Sequence, residues 1–262
     1  MHSALFFPLT GDIMEGMEYF YELYERLPRG GPGDNSSTRK AFSYLKNLPA
    51  EPHILDIGCG SGMQTIELAR ITRGKIVALD NYQPFLDSLV QNAIKEGVDK
   101  RIFPKNQSML EMDFKDNSFD IIWSEGALYQ MGFQNGLKKC HQLLKKGGYL
   151  AVTEGVLLTS NPPMGAKEFW AEYPDVKGVK ENIALIRDEK YHLLAHFTLP
   201  KSSWTDNYYS PIEKRIVELK KKYRNNKIAL QVFARSEKEI ELYKRNSDYV
   251  GYKFFVMQKR QE

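Results

Sequence analysis

The chemistry this chain offers is concentrated in seven residues, Asp56-Ile57-Gly58-Cys59-Gly60-Ser61-Gly62. They lie between an apolar run, His53 to Ile57, and a segment carrying Met63, Ile66, Leu68 and Ala69 at helical spacing. Glycines at a strand-to-helix turn allow the chain to bend sharply and let a ligand approach backbone N–H groups at a helix N-terminus. The spacing excludes two common loops. A dinucleotide fingerprint needs Gly at position 63, where Met63 stands, and no Gly-Lys-Ser or Gly-Lys-Thr follows to make a P-loop. Asp80, followed by Asn81, closes the next apolar run, Lys75 to Leu79. A carboxylate at that place can accept both hydroxyl hydrogens of a ribose, although capping of the next helix would use the same residue.

These groups require a scaffold, and the chain supplies one from residue 53 onward by alternating apolar runs with helical patterns, the signature of βαβ units around a parallel sheet. The second helix starts at Pro84, carries Phe85, Leu86, Leu89, Val90, Ala93 and Ile94, and stops at Gly97. A weak third strand is expected near Arg101 to Phe103 and a strong fourth from Phe119 to Trp123. Leu137, Cys140, His141 and Leu144 mark the next helix, which ends at Gly147-Gly148, and Tyr149 to Thr153 is a fifth strand. Two regions break the repeat. The first 50 residues predict a helix from Met14 to Leu27, the glycine-rich stretch Arg29 to Gly33, and a second helix behind the capping candidates Asn35, Ser36 and Ser37. An insertion from Leu157 to Lys190 delays the sixth strand to Tyr191–Leu199. Helices near Pro211–Tyr223 and Ser236–Tyr243 and a last strand over Tyr249–Met257 follow.

The pattern D-x-G-x-G-x-G after a strand resembles the first motif of class I S-adenosylmethionine-dependent methyltransferases. Residues 53 to 153 carry the likeness, and Trp204 to Tyr209 with Gly251-Tyr252-Lys253-Phe254-Phe255 are similar to a bacterial small-molecule subgroup, more loosely to quinone-biosynthesis C-methyltransferases. The resemblance implies an α/β, Rossmann-like, doubly wound and mostly parallel seven-stranded sheet with helices on both faces and an antiparallel edge strand. It also implies one domain: a helical cap at 1–50, a cofactor core at 51–156, and an acceptor cap with sheet completion at 157–262. S-adenosylmethionine and its product S-adenosylhomocysteine would bind Asp56, Gly58, Cys59, Gly60, Gly62, Asp80, Asn81, Ser108, Met109 and Ser124. Ser108 stands where the family often has an adenine-binding Asp, so its hydroxyl is a shorter, neutral partner, whereas Met109 acts through backbone and packing.

Methyl transfer from a sulfonium is an in-line displacement with a good, neutral leaving group, so alignment and desolvation are the main tasks. Glu125, at the carboxyl end of the fourth strand, is the first candidate for a base, with a cofactor-ordering or loop-capping role as the plainer alternative. Tyr129, Trp170, Trp204 and Tyr208 are candidates to wall the acceptor pocket. His196 is another, set against a buried structural histidine. The glycines from Gly30 to Gly33 suggest a hinged cover over the cofactor.

Composition narrows the classes further. The chain has 262 residues, 37 Lys plus Arg against 33 Asp plus Glu, and 12% aromatic residues. That is ordinary globular composition with no basic stripe for nucleic acid, and its lysine runs read as solvated helix faces. A mean hydropathy of −0.48 and the lack of a long apolar window predict no membrane span. The N-terminus lacks the pattern of an export signal, and two cysteines predict reduced thiols and a cytoplasmic setting. No ligand spacing for a metal is visible among five His and two Cys. The expected partner is a small-molecule acceptor, with monomer and homodimer both open. A non-catalytic S-adenosylmethionine-binding regulator on the same fold is the second reading.

Overall fold

The computed structural model describes residues 16–25 and 27–260; Met1–Pro8, Met14 and Glu15 lie outside them, as does Arg26 of the expected first helix. The strands β1 (His53–Ile57), β2 (Lys75–Asp80), β3 (Ile102–Asn106), β4 (Phe119–Glu125), β5 (Leu144–Leu157), β6 (Lys177–Gly178), β7 (Tyr191–Thr198) and β8 (Val250–Lys259) join in one sheet. The order is β3-β2-β1-β4-β5-β8-β7, with the short β6 paired to the end of β5. Neighbours from β3 across to β5 are parallel, and β8 is antiparallel to both β5 and β7.

Two features differ from the sequence reading. The sheet has eight strands, because residues 177–178 of the insertion form a short extra pairing. The antiparallel strand is β8, which lies inside the sheet, while β7 takes the edge. The physical cause is in the side chains. β8 is buried on both faces, through Tyr252, Phe254 and Val256 on one and Phe255 and Met257 on the other, whereas β7 is mostly half-buried or exposed. A strand apolar on both faces belongs between neighbours.

The helices are α1 (Met17–Tyr24), α2 (Asn35–Phe42), α3 (Met63–Ile71), α4 (Gln83–Lys95), α5 (Phe133–Leu143), α6 (Met164–Phe169), α7 (Val179–Asp188), α8 (Ser202–Trp204), α9 (Ser210–Lys222) and α10 (Lys227–Asn246). A π-turn over Thr205–Tyr209 joins α8 to α9. Alternate strand residues feed two cores. Ile54, Ile121, Trp123, Ala151 and Phe254 face a core shared with α1, α6, α9 and α10, while Leu55, Ile122, Leu150, Val152 and Phe255 face one shared with α5 and α7. The aromatic excess gathers in the first of these: Trp204 stacks on Tyr243 at 4.6 Å, and Trp170 lies parallel to Tyr252 at 6.3 Å.

The cap of α2 is Asp34 rather than the expected Asn35. Its carboxylate accepts the Ser37 N–H at 2.7 Å and the hydroxyls of Ser36 at 2.5 Å and Ser37 at 2.7 Å. It also reaches across the molecule to the Ser203 hydroxyl at 2.5 Å. Burial alone would raise its pKa, but the Ser203, Ser36 and Ser37 hydroxyls with the Ser37 N–H hold it at about 2. A carboxyl depressed on folding adds stability above its unfolded pKa of about 4, and loses it as pH falls through about 2. Asp34→Asn keeps a capping oxygen but removes the charge. The urea-midpoint gap between wild type and variant should be full at pH 7 and should close as pH falls from 4 toward 2. A gap of constant size down to pH 3 would contradict this account.

Candidate active site

Strand order reverses between β1 and β4, and the ligand crevice of a doubly wound sheet opens at the carboxyl ends flanking such a switch point. Both chemically suggestive segments lie there: Gly58 to Gly62 after β1, and Gly126-Ala127 after β4. The loop is held at its base by Gly58 N–H and Cys59 N–H, which donate to Leu79 C=O at 2.8 and 3.0 Å. Gly62 has φ +89°, and a Cβ there would stand 2.0 Å from Leu89, so α4 packs where only glycine fits. Gly60 is the informative contrast. It is buried, has φ +53°, and a Cβ on it would meet nothing within 4 Å, so open space lies directly over the loop backbone.

Asp80 faces this space. It is 4% exposed; Oδ2 accepts Gly60 N–H and Oδ1 accepts Tyr82 N–H, each at 3.0 Å. Met109 lies under the loop, its Cε 3.5 Å from where a Gly58 Cβ would be, and Ser108 caps the turn that carries it by accepting Leu110 N–H at 3.2 Å. Tyr21 stacks on Tyr82 at 4.0 Å beside this region, a neighbour the sequence reading did not single out.

Other expected cofactor residues take supporting places. Asp56 is closed to solvent and turned into the first turn of α3, accepting Thr65 Oγ1 at 2.6 Å. Burial pushes its pKa to about 7, against the Thr65 hydrogen bond and with the charge of Glu125 adding to the rise. It braces the loop from beneath, beside Gln64 and Thr65. Ser124 donates to Ile57 C=O at 2.9 Å, tying β4 to β1, and Asn81 is exposed beyond the end of β2.

Glu125 does not fit the role of base. Its Oε1 accepts Thr38 Oγ1 at 2.7 Å and Trp123 Nε1 at 2.9 Å, and its Oε2 accepts Arg29 Nη1 at 3.1 Å. A carboxylate held by three donors, one of them a guanidinium, is turned away from proton transfer; here it pins the N-terminal cap to the sheet. Gly33 sits against this pair, since a Cβ on it would stand 2.8 Å from Arg29 Nη1. The glycine segment is fastened as well: Gly33 N–H donates to Ser203 C=O at 3.3 Å and Asn207 Nδ2 to Gly33 C=O at 3.0 Å. It is a latched cover, not the free hinge its glycines suggested.

On the acceptor side the structure gathers Tyr129, Trp170, Trp204 and Tyr208 into one aromatic group with Tyr173 and Tyr252. Tyr208 and Tyr209 point inward from the π-turn, a distortion that recurs at functional sites. His196 is not among them. It is exposed on the edge strand β7, with its ring near Phe255 on the opposite face, so it is neither an acceptor contact nor a buried histidine.

Two further polar groups lie in this region. Tyr252 is 1% exposed, its hydroxyl has no hydrogen-bond partner, and that oxygen lies 3.6 Å from where a Gly126 Cβ would be. Glu154 accepts Tyr173 OH at 2.7 Å through Oε1, while its buried Oε2 is unpartnered. Burial pushes Glu154 to about 8, against the pull of the Tyr173 hydroxyl and Gly155 N–H. The signal for Tyr252 was its place in an apolar last strand; only the pairing of β8 with β5 brings it beside Gly126.

Comparison with known proteins agrees with this geometry. Residues 54–148 match the family model described as a methyltransferase domain. The chain is 26% identical over 167 residues to 27-O-demethylrifamycin SV methyltransferase of Amycolatopsis mediterranei, covering 58% of this chain and 61% of that one. It is 28% identical over 145 residues to demethylmenaquinone methyltransferase of Lactiplantibacillus plantarum, covering 54% and 60%. The chain therefore spans about three fifths of the length of these relatives. In fold it resembles an S-adenosylmethionine-dependent methyltransferase of Geobacter sulfurreducens solved with S-adenosyl-L-homocysteine, with TM-score 0.81 at 18% identity over 98% of this chain and 100% of the other. Residues 54–148 thus carry a methyltransferase domain, and the glycine loop, the acid at the end of β2 and the strand order resemble those of class I S-adenosylmethionine-dependent methyltransferases.

Proposed function

We propose that the protein transfers the methyl group of S-adenosylmethionine to a small-molecule acceptor by in-line displacement. The observation that carries this reading is the open space over Gly60, bordered by the Asp80 carboxylate and floored by Met109. A cofactor bound there would supply an activated methyl on a neutral leaving group. The chain's own part is to hold its amino-acid end on the backbone of Gly58 to Gly62, take its ribose on Asp80, and exclude water with the latched cover and aromatic group. The two free, buried cysteines and the ion pairs that occupy the lysine runs, such as Lys220–Glu237 and Lys222–Glu22 at 2.7 Å, support a cytoplasmic enzyme of small molecules over a nucleic-acid binder. No described helix is long and apolar enough to cross a membrane. The cap, core and acceptor segments read as one unit built on one sheet.

Calorimetry with S-adenosylhomocysteine, NAD and NADP tests the cofactor, and release of S-adenosylhomocysteine from S-adenosylmethionine across a metabolite panel tests catalysis. Micromolar binding of the first alone, with turnover on at least one acceptor, is expected; heat from NAD would overturn it. Tyr252 supplies a second check. Its hydroxyl is buried without a partner, so Tyr252→Phe should raise stability by about 1 kcal/mol while leaving S-adenosylhomocysteine binding unchanged. If that hydroxyl meets the acceptor, kcat should fall about tenfold in the same variant. Stability gained with no loss of turnover would make Tyr252 a packing residue only.

A further inference from the structure

Beside the aromatic group, α1, α6 and α10 enclose a cleft of about 160 Å³. Phe20 and Tyr24 of α1 and Phe169 of α6 wall it, and Glu239 of α10 lies among its lining residues. The rings are packed in place: Phe20 and Tyr24 are 4.6 Å apart between centroids and each is 3% exposed. Glu239 is fixed too, because Tyr209 OH donates to its Oε1 at 2.9 Å. The donor comes from the π-turn, so that irregular element positions this acid. Burial pushes Glu239 to about 7, against the Tyr209 hydrogen bond and with the charge of Glu172 adding to the rise. The cleft also has cations: Lys238, with a side chain 65% exposed, pairs with Glu168 at 2.9 Å, and Arg235 is exposed. Both stand toward solvent, whereas Glu239 is half-buried and close enough to Tyr129 and Tyr252 for its charge to help hold their phenols protonated. The cleft thus combines exposed charged groups, three aromatic walls and the half-buried Glu239 carboxyl, whose charge is felt at Tyr129 and Tyr252 of the aromatic group.

An acid fixed among aromatic faces, with the described cations of the cleft exposed to solvent, is complementary to an ammonium group: the carboxylate supplies the counter-charge and the ring faces a cation–π surface. A carboxylate or phosphate ligand would face like charge there. We propose that this cleft is the recognition end of the acceptor site and takes an amine-bearing, partly apolar small molecule, with Glu239 as the counter-ion of its ammonium. The proposal rests on the methyltransferase reading for the word acceptor, while the cleft's preference for an ammonium stands on the cleft itself.

The test is calorimetry of the full chain with 2-phenylethylamine and its neutral isostere 2-phenylethanol, in saturating S-adenosylhomocysteine. The amine is expected to bind about tenfold more tightly than the alcohol at pH 8, with the preference shrinking toward pH 6 as Glu239 takes up a proton. Glu239→Gln should abolish the preference and its pH dependence while leaving the alcohol's affinity and S-adenosylhomocysteine binding unchanged. Tyr209→Phe removes the hydrogen bond that lowers the Glu239 pKa, so it should move the pH midpoint of the preference upward even if Glu239→Gln does not fold. Equal binding of the two probes, no saturable amine binding, or an undiminished preference in folded Glu239→Gln overturns the proposal. The titration with S-adenosylhomocysteine alone comes first. Its failure would remove the methyltransferase reading, and the amine-to-alcohol comparison would then judge the cleft separately.

Discussion

Asp80→Ala should weaken S-adenosylhomocysteine binding on the order of 100-fold, while the empty protein keeps its fold. The carboxylate accepts Gly60 and Tyr82 N–H groups at the loop, and in the proposed reading it also takes the two ribose hydroxyls. Hydrogen bonds to a charged group contribute about 1.5–3 kcal/mol each, so losing two costs about 3 kcal/mol or more, and 1.4 kcal/mol is a factor of ten in Kd. The variant also releases Gly60, the residue with open space above it, so the loop loses preorganisation in addition to a direct contact. Asp80→Asn is the finer probe, because it retains one acceptor oxygen and should fall between the two. Calorimetry reads the affinities, and a melting curve of the empty variants checks the fold. Wild-type affinity in Asp80→Ala would mean that the ribose lies elsewhere.

The second large effect is expected in stability. Arg29 and Glu125 form an ion pair whose side chains are 6% and 3% exposed. Removing one partner of such a pair leaves an uncompensated buried charge and costs about 3–5 kcal/mol. Arg29→Met should therefore lower the melting temperature by about 10 °C, at roughly 2–4 °C per kcal/mol for a chain of this size. Glu125→Gln strands the Arg29 charge instead, but should cost less, since the amide oxygen can still accept from Thr38, Trp123 or Arg29 and Arg29 keeps its bond to Asn35. The pair of variants also separates the two readings of Glu125. If it pins the cap, turnover in Glu125→Gln should track cofactor affinity, with kcat nearly unchanged at saturating S-adenosylmethionine. A kcat loss of a thousandfold with normal affinity would restore Glu125 as a base.

The core of the fold was legible because parallel, doubly buried strands announce themselves as apolar runs. β1, β2 and β4 fall where Ile54-Leu55, Ile76-Val77 and Ile121-Ile122 predicted them, and Gly97, at φ +66°, ends α4 as expected. The placement of β8 was not legible from order along the chain, because its pairing between β5 and β7 is decided by both of its faces being apolar. Within the site, the glycine loop and Asp80 were readable since their function is local: a turn, a helix start and a strand end within 25 residues. Glu125 was misread for the opposite reason. Its donors come from positions 29 and 38, some ninety residues away, and no local pattern marks an arginine as buried. The places of Tyr252 and Glu239 were not legible for the same cause, as each is set only through tertiary pairing with a distant element. His196 shows the converse error: alternation along an edge strand put it on the wrong side of the sheet.

Asp34 belongs to two structures at once. It starts α2, whose Thr38 helps hold the N-terminal cover to the sheet, and it grips Ser203, which opens the segment leading to Trp204, Tyr208 and Tyr209. The N-terminal segment is thereby bolted to the segment that carries the inward-facing tyrosines, and displacing either one breaks contacts to the same carboxylate.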